Sequence, residues 1–222
     1  MTPMAEADPD RFIHDNLRPR TLPGLPRISL LLADEHSGLS RLLRADDDAA
    51  PPYWAFAWSG GMALAHYLAD HPETVSGKPV LDLGSGCGIV AIAAAQAGAS
   101  GVVAVESDAF GRRATAINAE RNHVTVEVMD SFPPNPIPAG VVLAGDVFYD
   151  STVAAGITLL LDRALGAGCQ VLVGDPGRRD LPRGQLQLIC EYDTGDFGDA
   201  AGSANNKAGV YRFVGQGSPT LA

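Results

Sequence analysis

Pro79-Val80-Leu81-Asp82-Leu83-Gly84-Ser85-Gly86-Cys87-Gly88 decides the fold. An apolar run, Val80 to Leu83, stops at three alternating glycines, and an Ala/Ile-rich segment, Ile89 to Ala97, comes at once after them. The pattern predicts strand, tight turn and helix. Glycines at such a turn permit positive φ and let a ligand approach the backbone closely. The helix behind them offers free N–H groups and the positive end of its dipole. Glu106 closes the next apolar run, Val102 to Val105, twenty residues beyond Gly86. A carboxylate there can take both hydroxyls of a ribose. The first expectation is therefore a nucleoside-containing ligand on an open α/β sheet.

The spacing narrows the choice of nucleoside. A dinucleotide fingerprint reads G-x-G-x-x-G, but here the third glycine comes one residue early, at Gly88, and Ile89 holds the expected place. Asp82 sits at the strand end, where it would repel a pyrophosphate and suits the ammonium of S-adenosylmethionine. The run Asp82 to Gly88, D-x-G-x-G-x-G, resembles motif I of the class I methyltransferases. A dinucleotide site is the rival reading. A glycine turn that binds nothing fits less well, because three glycines, Asp82 and Glu106 all fall at matching offsets.

Composition sets bounds. At 222 residues the chain has room for one α/β domain with a full core plus an extension. We divide it into an N-terminal extension with short helices and a strand, residues 1–50, and a methyltransferase domain, residues 51–222. A net charge of −10 argues against nonspecific nucleic-acid binding, where Lys and Arg neutralise phosphate, and suits a basic protein surface or a small molecule. The longest apolar stretch, Ile89 to Ala99, contains Gln96 and is too short to span a bilayer, so no membrane partner is expected. The N-terminus shows no apolar core of a secretory signal. Cys87, Cys169 and Cys190 are widely spaced and suggest reduced thiols in the cytoplasm. The five histidines are scattered without ligand spacing, so no metal site is expected.

Along the chain, Asp10 to Leu17 predicts a short helix. Pro19, Pro23, Gly24 and Pro26 break the next stretch, and Ile28 to Leu32 is a candidate strand. Ser37 is a candidate cap for a helix carrying Leu39, Leu42 and Leu43. Asp46 to Pro52 reads as an exposed linker. Tyr53, Trp54, Phe56 and Trp58 crowd six residues and include both tryptophans of the protein. Trp54 and Phe56 suit core packing. Trp58 suits a cofactor wall, with its flat indole face and N–H donor, and Gly60 and Gly61 let the backbone turn beneath it. Helices are expected at 62–70, 107–122 and 151–165, and further strands at 124–129, 141–144, 170–173, 186–192 and 209–214. Strands alternating with helices imply a mostly parallel sheet covered on both faces. Its carboxyl ends then carry Asp82, Glu106, Asp130, Asp146 and Asp175 on one rim, where ligands bind in such sheets.

Four stretches together, Pro52 to Gly61, Val90 to Ala94, Gly145 to Tyr149 and Gly174 to Arg178, resemble the family of the electron-transfer flavoprotein β-subunit lysine methyltransferases and their bacterial relatives. The resemblance runs from about Asp10 to Val214. It implies a Rossmann-like, seven-stranded class I methyltransferase fold and S-adenosylmethionine as methyl donor. Trp58, Gly84, Ser85, Gly86, Glu106 and Gly145 match the family's cofactor contacts. Asp82 and Gly88 join them through motif I, Asp130 would meet the adenine amino group, and Ser131 its ring. Asp146 and Tyr149 match an Asp-x-x-Tyr motif that holds the target amine. The implied reaction is methylation of a lysine on a protein such as the flavoprotein β subunit or a ribosomal protein. A small-molecule acceptor resembling nicotinamide is one alternative, and a non-catalytic cofactor-binding interaction module is another. The Gly-rich stretch 193–207 and Asp180, where relatives carry an aromatic, depart from the family pattern. Some residues have plainer readings beside these. Asp175-Pro176-Gly177 reads equally as a turn, Asn118 and Asn122 as a helix end, Asp130 as a cap, and Tyr149 as a packed aromatic.

Overall fold

The computed structural model describes residues 8–43, 51–134, 137–194 and 207–215. Helix α1 (Pro9–Asn16) starts on an Asp8 cap. After it come strands β1 (Arg18–Leu22) and β2 (Leu25–Leu32), then α2 (Ser40–Leu43) and α3 (Ser59–Asp70). The glycine motif contributes β3 (Pro79–Leu83) and α4 (Ile89–Gln96). Then come β4 (Gly101–Val105), α5 (Ala109–Arg121), β5 (Glu127–Met129), β6 (Val141–Gly145), α6 (Ser151–Gly166), β7 (Gln170–Asp175), β8 (Leu186–Asp193) and β9 (Lys207–Phe213). Among the described residues, seven strands form one sheet in the order β5-β4-β3-β6-β7-β9-β8. The five from β5 to β7 run parallel, and β9 returns antiparallel between β7 and β8. The expected seven-stranded, mostly parallel sheet is present.

Helices cover both faces. On one, α3 and α4 pack with Val80, Ala104, Leu143 and Leu172. On the other, Leu161 and Ala164 of α6 pack with Leu81, Val142 and Val173. The sequence of α4, IVAIAAAQ, carries no polar residue before Gln96, and Ile89 to Ala94 are all buried. A helix that is apolar all round has to be covered on every side. The sheet covers one side, and Leu30 and Leu32 of β2 join the same core.

Three expectations need correction. The proline-rich stretch is not merely a break: β1 and β2 form an antiparallel hairpin, with Pro19 opposite Leu31 and Gly24 turning at φ +70°. Strand β5 is confined to Glu127–Met129, since only those residues reach the ladder of β4. Ser37 caps no helix; its hydroxyl accepts the Asp34 N–H at 2.9 Å. The proposed boundary near residue 50 and most of the 193–207 stretch lie outside the described residues.

Asn118 and Asn122 do more than end α5. The Leu31 N–H donates to Asn118 Oδ1 at 2.7 Å, and Asn118 Nδ2 donates to the Cys87 carbonyl at 2.9 Å. Asn122 meets both the N–H and the C=O of Ser29. One turn apart on α5, the two amides satisfy backbone groups of β2 that a further strand would otherwise pair.

Candidate active site

A cleft of ≈ 480 Å³ opens at the carboxyl ends of β3, β4 and β6. Gly84, Gly86, Glu106, Asp108, Asp130 and Ser131 line one part of it, and Trp58, Gly145, Asp146, Tyr149 and Arg178 the other. The first part comes from local structure. Gly84, Gly86 and Gly88 hold φ values of +73°, +53° and +84°. A Cβ on Gly84 would lie 2.9 Å from Val147, so the turn passes that side chain only with glycine there.

Glu106 stands beside that turn. Its Oε2 accepts the Gly86 N–H at 2.8 Å and its Oε1 the Asp108 N–H at 2.9 Å. Each oxygen therefore keeps an acceptor position, two in all, which is what a vicinal diol needs. Desolvation raises the Glu106 pKa, opposed by those two N–H groups. Asp108 in turn caps α5, accepting from the Gly111 N–H at 3.0 Å. Asp130 and Ser131 lie exposed on the same rim, the Ser131 hydroxyl donating to Asp130 at 2.9 Å.

Three motif residues sit behind the cleft rather than in it. Asp82 is 1% exposed. Its Oδ2 accepts the Ala91 N–H at 3.0 Å, serving the first turn of α4, whose N-cap position is Gly88 and has no side chain. Asp82 Oδ1 has no hydrogen-bond partner among the described residues. Burial raises this carboxyl to about 7, and the side chain does not line the cleft. The Ser85 hydroxyl pairs with Thr115 Oγ1 at 2.9 Å, and a Cβ on Gly88 would meet Thr115. Both residues fit the turn against α5.

The second part of the cleft is assembled from distant segments. Asp146 follows directly after β6 at φ +57°, a left-handed conformation that non-glycine residues seldom adopt. Its N–H donates to the Gly174 carbonyl at 2.9 Å. Its Oδ2 accepts the Gly61 N–H in the first turn of α3 at 2.9 Å. Oδ1 accepts from Arg178 Nη2 at 2.8 Å and Nε at 3.2 Å. Burial pushes the Asp146 pKa up to about 6, with Arg178 pulling it down and Asp175 pushing it up. The negative charge expected to attract an acceptor ammonium is thus already matched by a guanidinium.

Gly60 and Gly61 belong to the first turn of α3 rather than to a bend beneath Trp58. A Cβ on Gly60 would lie 2.2 Å from the Gly174 carbonyl oxygen, one on Gly174 2.1 Å from that of Gly60, and one on Gly145 2.8 Å from Gly61 Cα. These glycines let the helix end press onto the ends of β6 and β7. That contact delivers the Gly61 N–H to Asp146.

Trp58 lines the cleft as expected, but its indole N–H is committed to the Tyr53 carbonyl at 2.8 Å. Its ring face carries the Arg178 guanidinium, 5.7 Å from the centroid. Tyr149 is 47% exposed and packs on Tyr53 at 4.9 Å between ring centroids, so the pair forms an aromatic mouth. Burial raises the Tyr149 pKa, with Glu106 adding to the effect, and the phenol keeps its proton at neutral pH. Trp54 is buried on Phe110 yet also reaches the cleft.

Tyr53 and Arg178 escaped the sequence reading. The signal for Arg178 was present: Asp146 and Asp175 close neighbouring buried strands, and two buried carboxylates need a cation. Among the described residues, no cluster of His, Cys, Asp and Glu could hold a metal ion.

Comparison with known proteins agrees with this architecture. The ribosomal protein L11 methyltransferase (PrmA) family model matches residues 67–147. The electron transfer flavoprotein beta subunit lysine methyltransferase homolog of Caenorhabditis elegans is 30% identical over 176 residues, 70% of this chain and 71% of the relative. The electron transfer flavoprotein beta subunit lysine methyltransferase of Danio rerio is 40% identical over 170 residues, 73% and 66% of the two chains. That of Rattus norvegicus is 38% identical over 159 residues, 64% and 58%. This chain thus spans less than two-thirds of the length of the rat and zebrafish relatives. A solved Pyrococcus horikoshii structure, described as an RNA methyltransferase, superposes with a TM-score of 0.55 at 16% identity over 80% of this chain and 97% of that one. That likeness shows the class I methyltransferase fold alone.

Proposed function

Because this chain belongs to the family of the electron transfer flavoprotein beta subunit lysine methyltransferases, we propose that it methylates a lysine side chain on a protein, with S-adenosylmethionine as the donor. One observation carries the reading: a single cleft joins Glu106, each of whose oxygens keeps an acceptor position, beside the glycine turn to a buried carboxylate, Asp146, next to an aromatic mouth. The residues fit the donor. Glu106 has a free acceptor position on each oxygen, and Gly84 and Gly86, both at positive φ, line the cleft beside it without side chains. When bound, S-adenosylmethionine supplies an electrophilic methyl group and its own leaving group.

The chain's own part is to position and to control a proton. Glu106 would hold the ribose diol beside Gly84 and Gly86, and Asp130 and Ser131 would meet the adenine. A lysine amine has a pKa of about 10.4 in water and attacks only when neutral, so its proton is released to water at the cleft mouth before the methyl group moves. Asp146 and Arg178 form a nearly neutral pair, so the site gives little reward to a second full positive charge. A carboxylate has about four acceptor positions, and Asp146 has used three on Arg178 and Gly61. The remaining one can hold a single N–H of the amine in line. The protonated Tyr149 phenol and Tyr53 flank the entering side chain. The acceptor proteins we propose are the electron transfer flavoprotein β subunit or a ribosomal protein, after the names of the relatives.

The test is tritium transfer from labelled S-adenosylmethionine in a lysate of the source organism, separated into protein and small-molecule fractions. Label on lysine in the protein fraction is expected. Label confined to small molecules would replace this reading with a nicotinamide-like acceptor, and no transfer beside tight donor binding would replace it with a non-catalytic module.

A further inference from the structure

We propose that Arg178 is the positioning residue of the acceptor side: its guanidinium, bonded to the Asp146 carboxylate and lying over the Trp58 indole, keeps Asp146 ionised and turned toward the acceptor. The inference rests on the reading of Asp146 as the group that orients the acceptor amine.

The geometry supports it from both ends. Arg178 places two N–H donors, Nη2 at 2.8 Å and Nε at 3.2 Å, on the same oxygen, Asp146 Oδ1. The Gly61 N–H holds the other oxygen. A carboxylate gripped at both oxygens cannot rotate, and its last acceptor position has a fixed direction. Arg178 is itself anchored. Its backbone N–H and that of Gly177 both donate to Asp175 Oδ1 at 2.7 Å, in a turn where Gly177 takes φ +92°. Arg183 Nη2 ties the Gly177 carbonyl at 2.8 Å. The guanidinium also lies over the Trp58 ring, 5.7 Å from its centroid.

The charge pattern explains why a cation is required. Asp146 and Asp175 end adjacent parallel strands, both are buried, and Asp175 Oδ2 has no hydrogen-bond partner among the described residues. Two such acids cannot both stay ionised without a positive charge nearby. The other groups on the packed elements leave Arg178 in that role. Asp175 of β7 opposes the ionisation of Asp146, and the start of α3 favours it through Gly61. Arg178 and Arg183 both lower the pKa of Asp175, and Asp175 in turn raises that of Tyr211 of β9. Glu106, across the cleft, acts on Tyr149. Without Arg178, Asp146 takes a proton in the neutral range, and a protonated carboxyl presents a donor where the amine needs an acceptor.

The experiment is a ¹³C NMR titration of the Asp146 side-chain carboxyl in the full-length protein, assigned by its loss in D146N. Wild type, R178Q and R178K are compared, with R178M in place of R178Q should the latter not fold. The midpoint should rise by about one pH unit or more in R178Q and stay near the wild-type value in R178K. A midpoint unmoved in R178Q or R178M overturns the proposal. Methyl transfer into the protein fraction at saturating donor is followed over the same pH range. Its acid limb should move upward with the midpoint in R178Q and return in R178K. A limb that stays put while the midpoint moves also overturns it. A shifted midpoint in a protein whose wild type labels no protein would uphold the Arg178–Asp146 coupling and reject the lysine-methylation reading instead.

Discussion

The two parts of the cleft, proposed here as donor and acceptor sides, are built by opposite routes. Gly84, Gly86 and Glu106 fall within one strand–turn–helix–strand unit, and their bonds close over at most twenty residues. The acceptor side gathers Gly61 from α3, Asp146 from β6 and Arg178 from beyond β7, across separations of 85 and 32 residues. The donor side depends on backbone conformation and one carboxylate. The acceptor side depends on three elements meeting without side chains between them, and on two buried charges that balance.

The largest effect that would separate the two is expected at Gly174. In G174A a Cβ would fall 2.1 Å from the Gly60 carbonyl oxygen, a backbone atom that cannot step aside alone. Such overpacking costs about 1–3 kcal/mol or more. The melting temperature should drop and turnover should collapse, while the folded fraction keeps its affinity for S-adenosylhomocysteine. Equal losses of affinity and turnover would mean that the two sides are not separable. On the donor side, E106A removes hydrogen bonds to a charged group, worth about 1.5–3 kcal/mol. Calorimetry should show donor affinity falling tenfold or more in a folded protein. Unchanged affinity, or saturable NAD binding in place of S-adenosylmethionine, would break the donor side's assignment.

Asp82 gives a smaller, pH-dependent effect. Folding raises its carboxyl from the ordinary 3.8 to about 7, because burial penalises the charge. A carboxyl raised on folding stabilises fully below its unfolded value, and that contribution is lost as pH climbs through the folded value. D82N has no such titration. Its melting temperature relative to wild type should therefore rise between about pH 4 and about pH 7 and level off above. A constant difference over that range would contradict a buried, protonating Asp82. The smallest effect belongs to D130A. An exposed hydrogen bond is worth about 0.5–1.5 kcal/mol, so donor affinity should fall by less than about tenfold. A loss as large as that of E106A would mean that depth in the cleft does not rank these contacts.

The same contrast explains what could be read from the chain. The strand–turn–helix at Val80 to Ala97 and the carboxylate at Glu106 come from local periodicity and spacing, which a sequence displays directly. Asp146, which lines the cleft, could be singled out because strand ends collect ligand-binding groups in open sheets. The facing of strand-end side chains was less accessible. Asp82 lies one residue inside the end of β3 and turns into α4, whereas Asp146 lies one residue beyond β6. Hairpin β1–β2 was hidden because four of the five residues of β1 are exposed, so no apolar alternation offsets Pro19. Arg178 was missed although Asp146 and Asp175 were both placed on the rim, because their adjacency, and so their need for a shared cation, follows only from the order β6-β7.

The division of labour itself is tested at Asp146. The D146N variant keeps the size of the side chain and an acceptor for the Gly61 N–H, but removes the charge paired with Arg178. Donor affinity is measured by titration, folding by a melting curve, and methyl transfer to protein at saturating donor. The account predicts near wild-type affinity and a folded protein whose turnover is reduced at least tenfold, the consequence of losing about 1.4 kcal/mol of transition-state stabilisation. Wild-type turnover in the folded variant would remove Asp146 from the reaction and contradict the account.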